Sequence, residues 1–295
     1  MENCIRIFND FLVKEKKASG NTVESYMRDV LQFSEYCTAN DITNIGVIDL
    51  SVISKYLDFL TSSGKSEATK LRIVASLRAF FRCLCNKGIM VENPADSVNI
   101  KKTVKQLPGI LDAKDVVLLL SQPNGTDFKS IRDKAMLEIL YATGIKVSEL
   151  IDLRVGDINL QIGILHLENG KKERIIPIYP AAVKSITNYL VNVRPAIVTD
   201  TEEDRLFTNM NGKPMSRQGF WKIVKHYAET AGIDKDITPH TLRHSFAAHL
   251  LENGAKLADI KEMLGHSDIS STQVYAQLIK SKYTAAYTKF HPLAK

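Results

Sequence analysis

The sequence predicts a mainly α-helical protein of two domains: an N-terminal four-helix unit, then a larger, mostly helical unit with one small antiparallel β-sheet. Three observations carry this. Apolar residues recur at helical spacing through most of the chain, between residues suited to cap or stop helices. Strand-like runs are confined to one place, on either side of Asn169-Gly170, a two-residue hairpin signal. At 295 residues the chain also has the length of about two domains.

In order, the first helix covers about Glu2 to Lys17 and stops near Ser19-Gly20. The second starts from Asn21 or Thr22 as cap and runs to about Asn40. Ser51 caps the third, whose apolar positions are Val52, Ile53, Tyr56, Leu57 and Leu60. The fourth runs from about Ser66 to Asn86, with Leu71, Val74, Leu77, Phe81 and Leu84 inside and Lys87-Gly88 as its stop. Its other faces carry Lys70, Arg72, Arg78 and Arg82. Residues 1–88 thus form one domain. Glu92-Asn93-Pro94 ends it and Pro108-Gly109 opens the next, which sets off residues 89–108 as a linker.

In the second unit Asp112 caps a helix through Leu120, and Ser130 to Ala142 forms another that stops at Gly144. Ile162 to Leu167 and Arg174 to Ile178 read as strands. Helices follow around 180–193, 216–231, 240–252 and 256–264, and a last one near 271–279 carries Tyr275. The tail 281–295 has little core of its own.

Composition narrows the classes. With 44% hydrophobic and 24% charged residues the chain is an ordinary globular one. No apolar run approaches the roughly 18 residues of a membrane span, and the polar residues in Met1 to Asp10 do not suit a signal peptide. Cys4, Cys37, Cys83 and Cys85 lack metal-ligand spacing and read as reduced thiols, so a cytoplasmic location is expected. The net charge of +6 is unevenly spread. Residues 1–100 carry 12 basic and 12 acidic side chains, whereas Lys101, Lys102 and Lys105 stand together without an acid. That segment suits a phosphate backbone, and equally a solvated linker.

Two stretches carry chemistry: Thr238-Pro239-His240-Thr241-Leu242-Arg243-His244, and Leu264-Gly265-His266-Ser267 with Val274-Tyr275 beyond it. His240 and Arg243, three apart, share a helical face. With His266 and Tyr275 they supply two imidazoles, a guanidinium and a phenol, and no Cys or carboxylate cluster accompanies them. That set suits metal-free attack by a tyrosine on a phosphodiester: Tyr275 as nucleophile, Arg243 gripping nonbridging oxygens, and His240 and His266 donating to phosphate or taking the Tyr proton. No metal or cofactor is expected.

These stretches, with Tyr141-Ala142-Thr143-Gly144-Ile145-Lys146-Val147-Ser148-Glu149-Leu150, closely resemble the tyrosine site-specific recombinases, in particular the Xer type, over essentially the full length. The resemblance implies a SAM-like core-binding domain in 1–88, a basic linker in 89–108, a catalytic domain in 109–280 and a tail in 281–295 that docks on a neighbouring protomer. It implies cleavage of double-stranded DNA through a 3′-phosphotyrosyl enzyme, in a homo- or hetero-tetramer, with a DNA translocase as a further candidate partner. The biological role would be chromosome dimer resolution or mobile-element integration and excision. DNA contacts are expected from Lys70, Arg72, Arg78, Lys101, Lys102 and Lys105.

Two positions depart from the family pattern. Lys146 stands where the first catalytic arginine is usual; it keeps the charge but not the bidentate fork. Glu149 is placed to orient Lys146 or His240. In the hairpin, Glu168-Asn169-Gly170-Lys171-Lys172-Glu173-Arg174 reads as one residue shorter than the family turn. Asn169 falls where the catalytic lysine is expected, and Lys171 is the alternative acid, in preference to Lys172. These departures admit a second reading: a catalytically impaired DNA-binding protein acting as structural or regulatory partner of an active recombinase.

Overall fold

The computed structural model describes residues 1–99, 109–169, 172–266 and 272–276. Lys101, Lys102 and Lys105, the hairpin residues Gly170 and Lys171, and the tail from 277 onward lie outside the described residues. The chain divides into two compact units, 1–105 and 106–295.

The first unit is built from α1 (Glu2–Asp10), α2 (Gly20–Ala39), α3 (Leu50–Ser62) and α4 (Glu67–Asn86). The caps differ from expectation in two places. Ser19, not Asn21 or Thr22, caps α2, its Oγ accepting from Thr22 N. Asp49, not Ser51, caps α3 by accepting from Val52 N. In both, the oxygen sits three residues before the amide it receives, as capping geometry requires. The first helix is also not regular throughout: beyond Asp10 it continues as a π-helical turn, Phe11–Glu15, in which Lys16 N reaches back to Phe11 O.

The core of this unit is aromatic, with Phe8, Phe33, Tyr56, Phe80 and Phe81 all buried and Phe8 edge-on to Phe80 at 5.4 Å. The stripe of α4 is Ile73, Val74, Leu77, Phe80, Phe81 and Leu84; Leu71 is only half-buried. Its basic residues are not a free face. Lys70 is buried and pairs with Glu67 while donating to Thr61. Arg72 pairs with the buried Asp29, and Arg78 donates to the Ala95 and Val98 carbonyls. A helix lying across neighbours captures charges that its sequence alone presents as outward.

The second unit contains α5 (Ala113–Ser121), α6 (Phe128–Thr143), α7 (Val147–Asp152), β1 (Ile158–Asn159), β2 (Ile164–Asn169), β3 (Lys172–Pro177), α8 (Pro180–Asn192), α9 (Arg194–Ile197), α10 (Arg217–Thr230), α11 (Pro239–Glu252) and α12 (Leu257–Leu264), with residues 272–276 again helical. The sheet is antiparallel in the order β1-β2-β3, and Leu165, Leu167 and Ile176 cover its inner face. The register ends at Asn169 opposite Lys172, so Asn169, expected in the turn, belongs to the strand instead. α7, α9 and β1 were not anticipated; each is shorter than the window over which hydrophobic periodicity becomes legible.

α6 and α11 form the centre of this unit. Most of α6 is buried, and Gly144 ends it at φ 59°, a conformation that favours glycine. A Cβ there would also lie 2.3 Å from Phe246 of α11. That close approach brings the α6–α7 turn, which bears Lys146, onto the helix that bears Arg243.

Candidate active site

α11 begins with Thr238, whose Oγ1 accepts from Thr241 N while Thr241 Oγ1 accepts from Thr238 N. Pro239 fills the first helical position, where its missing N–H costs nothing. This start fixes the rotation of the helix. His240 is exposed in the first turn, Arg243 is buried, and His244 stands one turn beyond His240 with ring centroids 6.4 Å apart.

Arg243 is held from several sides. Nη1 donates to Gly144 O, and Nη2 donates to Leu264 O at 2.8 Å and to His266 Nε2 at 3.1 Å. Burial lowers its pKa from the usual guanidinium value. Because a guanidinium only donates, His266 Nε2 is the acceptor. The neutral ring therefore carries its proton on Nδ1, which donates to Thr272 Oγ1 at 3.0 Å. Burial, with Arg243 and Lys146 beside it, holds the His266 pKa down to about 4.

Tyr275 is 1% exposed and packs against Phe246, Ala247, Ile260 and Leu264. Its Oη lies 2.8 Å from His244 Nδ1, with ring centroids 5.6 Å apart. Burial raises the phenol pKa, and Arg243 opposes that rise. The same burial, helped by His240 and Arg243, pulls His244 down to about 4, so the ring is neutral.

Lys146 caps α7. Its backbone N–H donates to Glu149 Oε2 at 2.7 Å, and its half-exposed side chain places Nζ 4.0 Å from Glu149 Oε1. Glu149 is not directed at His240; its second partner is Arg174, whose Nη2 lies 2.7 Å from the same Oε2. That contact is close but off the hydrogen-bond axis, since Arg174 Nε and Nη2 and Glu149 Oε1 all lack an aligned partner. The Arg174 guanidinium lies over Gly265.

The structure therefore brings together Tyr275, Arg243 and His266, with Lys146 and Glu149 alongside. His240 is displaced toward solvent, and Lys171 falls outside the described residues. Sequence reasoning missed His244, Thr272 and Arg174. For His244 the signal was present, because it lies four residues after His240 and so on the same helical face. The pairing of Thr272 with His266 and of Arg174 with Glu149 depends on tertiary folding, which no local spacing encodes.

A buried phenol hydrogen-bonded to a neutral imidazole, next to a guanidinium fixed at two carbonyls and a half-exposed lysine, has the composition of a phosphodiester-transfer site built on tyrosine. Comparison with known proteins agrees. Residues 110–282 match the phage integrase family, and residues 5–88 match the phage integrase N-terminal SAM-like domain. The chain is 42% identical over 295 residues to tyrosine recombinase XerD of Staphylococcus epidermidis, covering 100% of both. It is 44% identical over 296 residues to tyrosine recombinase XerD of Halalkalibacterium halodurans, covering 100% of this chain and 99% of that protein. Among solved structures, XerA recombinase is 25% identical with a TM-score of 0.56, covering 99% of this chain and 98% of that one. XerH site-specific recombinase in a post-cleavage complex with a palindromic difH substrate shares the fold at 22% identity and a TM-score of 0.74, covering 92% and 81%. The chain belongs to the phage integrase family of tyrosine recombinases, enzymes that cleave and rejoin DNA at specific sites.

Proposed function

We propose that the chain recombines DNA through a 3′-phosphotyrosyl intermediate formed by Tyr275. Arg243 and Lys146 counter the charge of the phosphorane-like transition state, Lys146 as a point charge without the fork of an arginine. His266 joins them once the scissile phosphate draws Arg243 off its Nε2 and the anion restores the basicity of the ring. Lys171 protonates the departing 5′ oxygen. Glu149 and Arg174 position the Lys146 turn. The observation that carries this reading is a pair of hydrogen-bonded groups borne by adjacent residues of α11, His244 with Tyr275 and Arg243 with His266 and Thr272.

DNA is held by charge as well as by the site. Lys101, Lys102 and Lys105 neutralise phosphates. α10 adds an exposed face of Arg217, Lys222 and Lys225, the last over the Trp221 ring. In the N-terminal domain Arg72 keeps enough exposure to reach a phosphate, whereas Lys70 and Arg78 are engaged within the domain. The Xer resemblance supports a cytoplasmic tetramer, homo- or hetero-, acting in chromosome dimer resolution with tails 281–295 docked between protomers. Mobile-element integration or excision uses the same chemistry, and a DNA translocase is a further partner in this reading. Among the described residues no helix is long and apolar enough to cross a membrane.

Two observations favour a second reading, an impaired subunit that binds DNA beside an active recombinase. Lys146 contacts its carboxylate at only 4.0 Å, and the residue ending β2 is Asn169, which cannot serve as an acid. A nicked suicide duplex carrying a candidate recombination site separates the two. An SDS-resistant adduct that Tyr275→Phe abolishes supports the recombinase. Tight binding with no adduct, even after Lys146→Arg, supports the impaired subunit.

A further inference from the structure

We propose that His244 is the group that takes the proton of Tyr275 during attack. The proposal rests on Tyr275 being the nucleophile and adds the base that activates it. Three imidazoles belong to the site, and the structure distinguishes among them. His266 has both nitrogens engaged, Nε2 accepting from Arg243 and Nδ1 donating to Thr272. His240 is exposed and stands behind His244, ring to ring at 6.4 Å. His244 alone offers Nδ1 at 2.8 Å from Tyr275 Oη, within the distance of a direct proton transfer.

The surroundings suit the role. His240 on the same helix, Arg243 beside it, His266 and the phenol of Tyr275 are titratable groups around the ring, and burial first, then its neighbours His240 and Arg243, keeps it neutral. A neutral ring has a free lone pair to accept with. As the phosphate anion enters, it offsets Arg243 and raises the basicity of His244 at the moment a base is needed. The step balances as follows. The Tyr275 O–H bond breaks, its proton bonds to Nδ1, and the oxygen lone pair forms the O–P bond. The P–O5′ bond breaks with its pair on O5′, which takes a proton from Lys171. In the rejoining step a 5′ hydroxyl gives its proton to the now neutral Lys171 amine as its oxygen bonds to phosphorus, the P–O bond to Tyr275 breaks, and His244 returns its proton to the departing phenolate.

The test uses the full chain with His244→Ala and His244→Asn, on a suicide duplex and on one with a 5′-bridging phosphorothiolate, whose sulfur leaves without a proton. Both variants are expected to form adduct about 10²–10⁴-fold more slowly, with DNA affinity and Tm for His244→Asn near the parent values. The phosphorothiolate should not restore the rate, whereas added imidazole should restore His244→Ala in part. Cleavage by His244→Asn within about threefold of the parent overturns the proposal, as does rescue by the phosphorothiolate. Should the parent itself form no adduct, the recombinase reading fails separately. The ¹⁵N resonances of His244 then decide this one: an unprotonated Nδ1 that shifts on Tyr275→Phe supports it, and a protonated Nδ1 sinks it.

Discussion

The guanidinium of Arg174 occupies the space where a side chain on Gly265 would begin: a Cβ there would lie 1.7 Å from Nη1. Gly265 also ends α12 at φ 65°, where a non-glycine residue is strained. Two independent constraints thus fall on the glycine that precedes His266, and Arg174 transmits them to Glu149 and the Lys146 turn.

Gly265→Ala is therefore expected to destabilise the protein by about 1–3 kcal/mol from backbone strain, with a further cost for displacing Arg174. The displacement should disappear in an Arg174→Ala background. Urea unfolding of the two single variants and the double variant measures this, and a strictly additive cycle would contradict the contact.

Much of the fold was legible because it is local. The fourth helix and its stop, the end of α6 at Gly144 and the presence of the hairpin all follow from caps, apolar spacing and turn residues. The hairpin register was read one residue early, because Asn-Gly is a strong turn signal but strand pairing outweighed it. Site residues that recur along one helix, His240 and Arg243, could be named in advance. That His244 faces Tyr275 could not, because that depends on where the Tyr275 helix packs and on the rotation of α11, fixed by Thr238 and by the approach of Phe246 to Gly144. The outward reading of Lys70 and Arg78 failed because Thr61, Ala95 and Val98, which accept from them, lie on other segments of the domain.

Lys146→Arg is expected to accelerate adduct formation by about 10–10²-fold, a part of the 10²–10³ that one transition-state donor typically contributes. The half-exposed side chain leaves room for a guanidinium. Glu149 Oε1, buried without a hydrogen-bond partner 4.0 Å from Lys146 Nζ, offers an acceptor to orient it. Single-turnover cleavage at saturating protein isolates the rate from affinity. An unchanged rate would move the deficit to the hairpin.

His244 and His266 both have pKa values held near 4 in the folded state, below the ordinary value of 6.5. A depressed histidine pKa means that the unfolded chain binds more protons between these limits. Stability should therefore fall as pH drops from about 6.5 toward 4, and these two groups should add no further change below that. At pH 5 each ring is expected to take up close to one proton on unfolding. Urea midpoints across this range test it: His266→Asn should flatten the slope, and a slope unchanged by the substitution would exclude His266 as a source.

Ser245 and His249 stand one turn apart on the helix that carries Arg243, and together they hold both polar backbone groups of Leu111. Leu111 N donates to Ser245 Oγ at 2.8 Å, and His249 Nε2 donates to Leu111 O at 2.9 Å. Leu111 is fully buried, so no water replaces a lost partner. His249 is itself held in this tautomer, because Nδ1 is left to accept from Tyr141 Oη. Ser245→Ala strands the Leu111 N–H and is expected to cost about 1–3 kcal/mol. Hydrogen exchange at Leu111 should accelerate by the corresponding factor, and the change should extend along α11. Exchange that rises at Leu111 but not along α11 would mean that the clamp anchors only the chain entering this unit. A rise along both would mean that Leu111 also helps to hold the helix on which Arg243 and His244 depend.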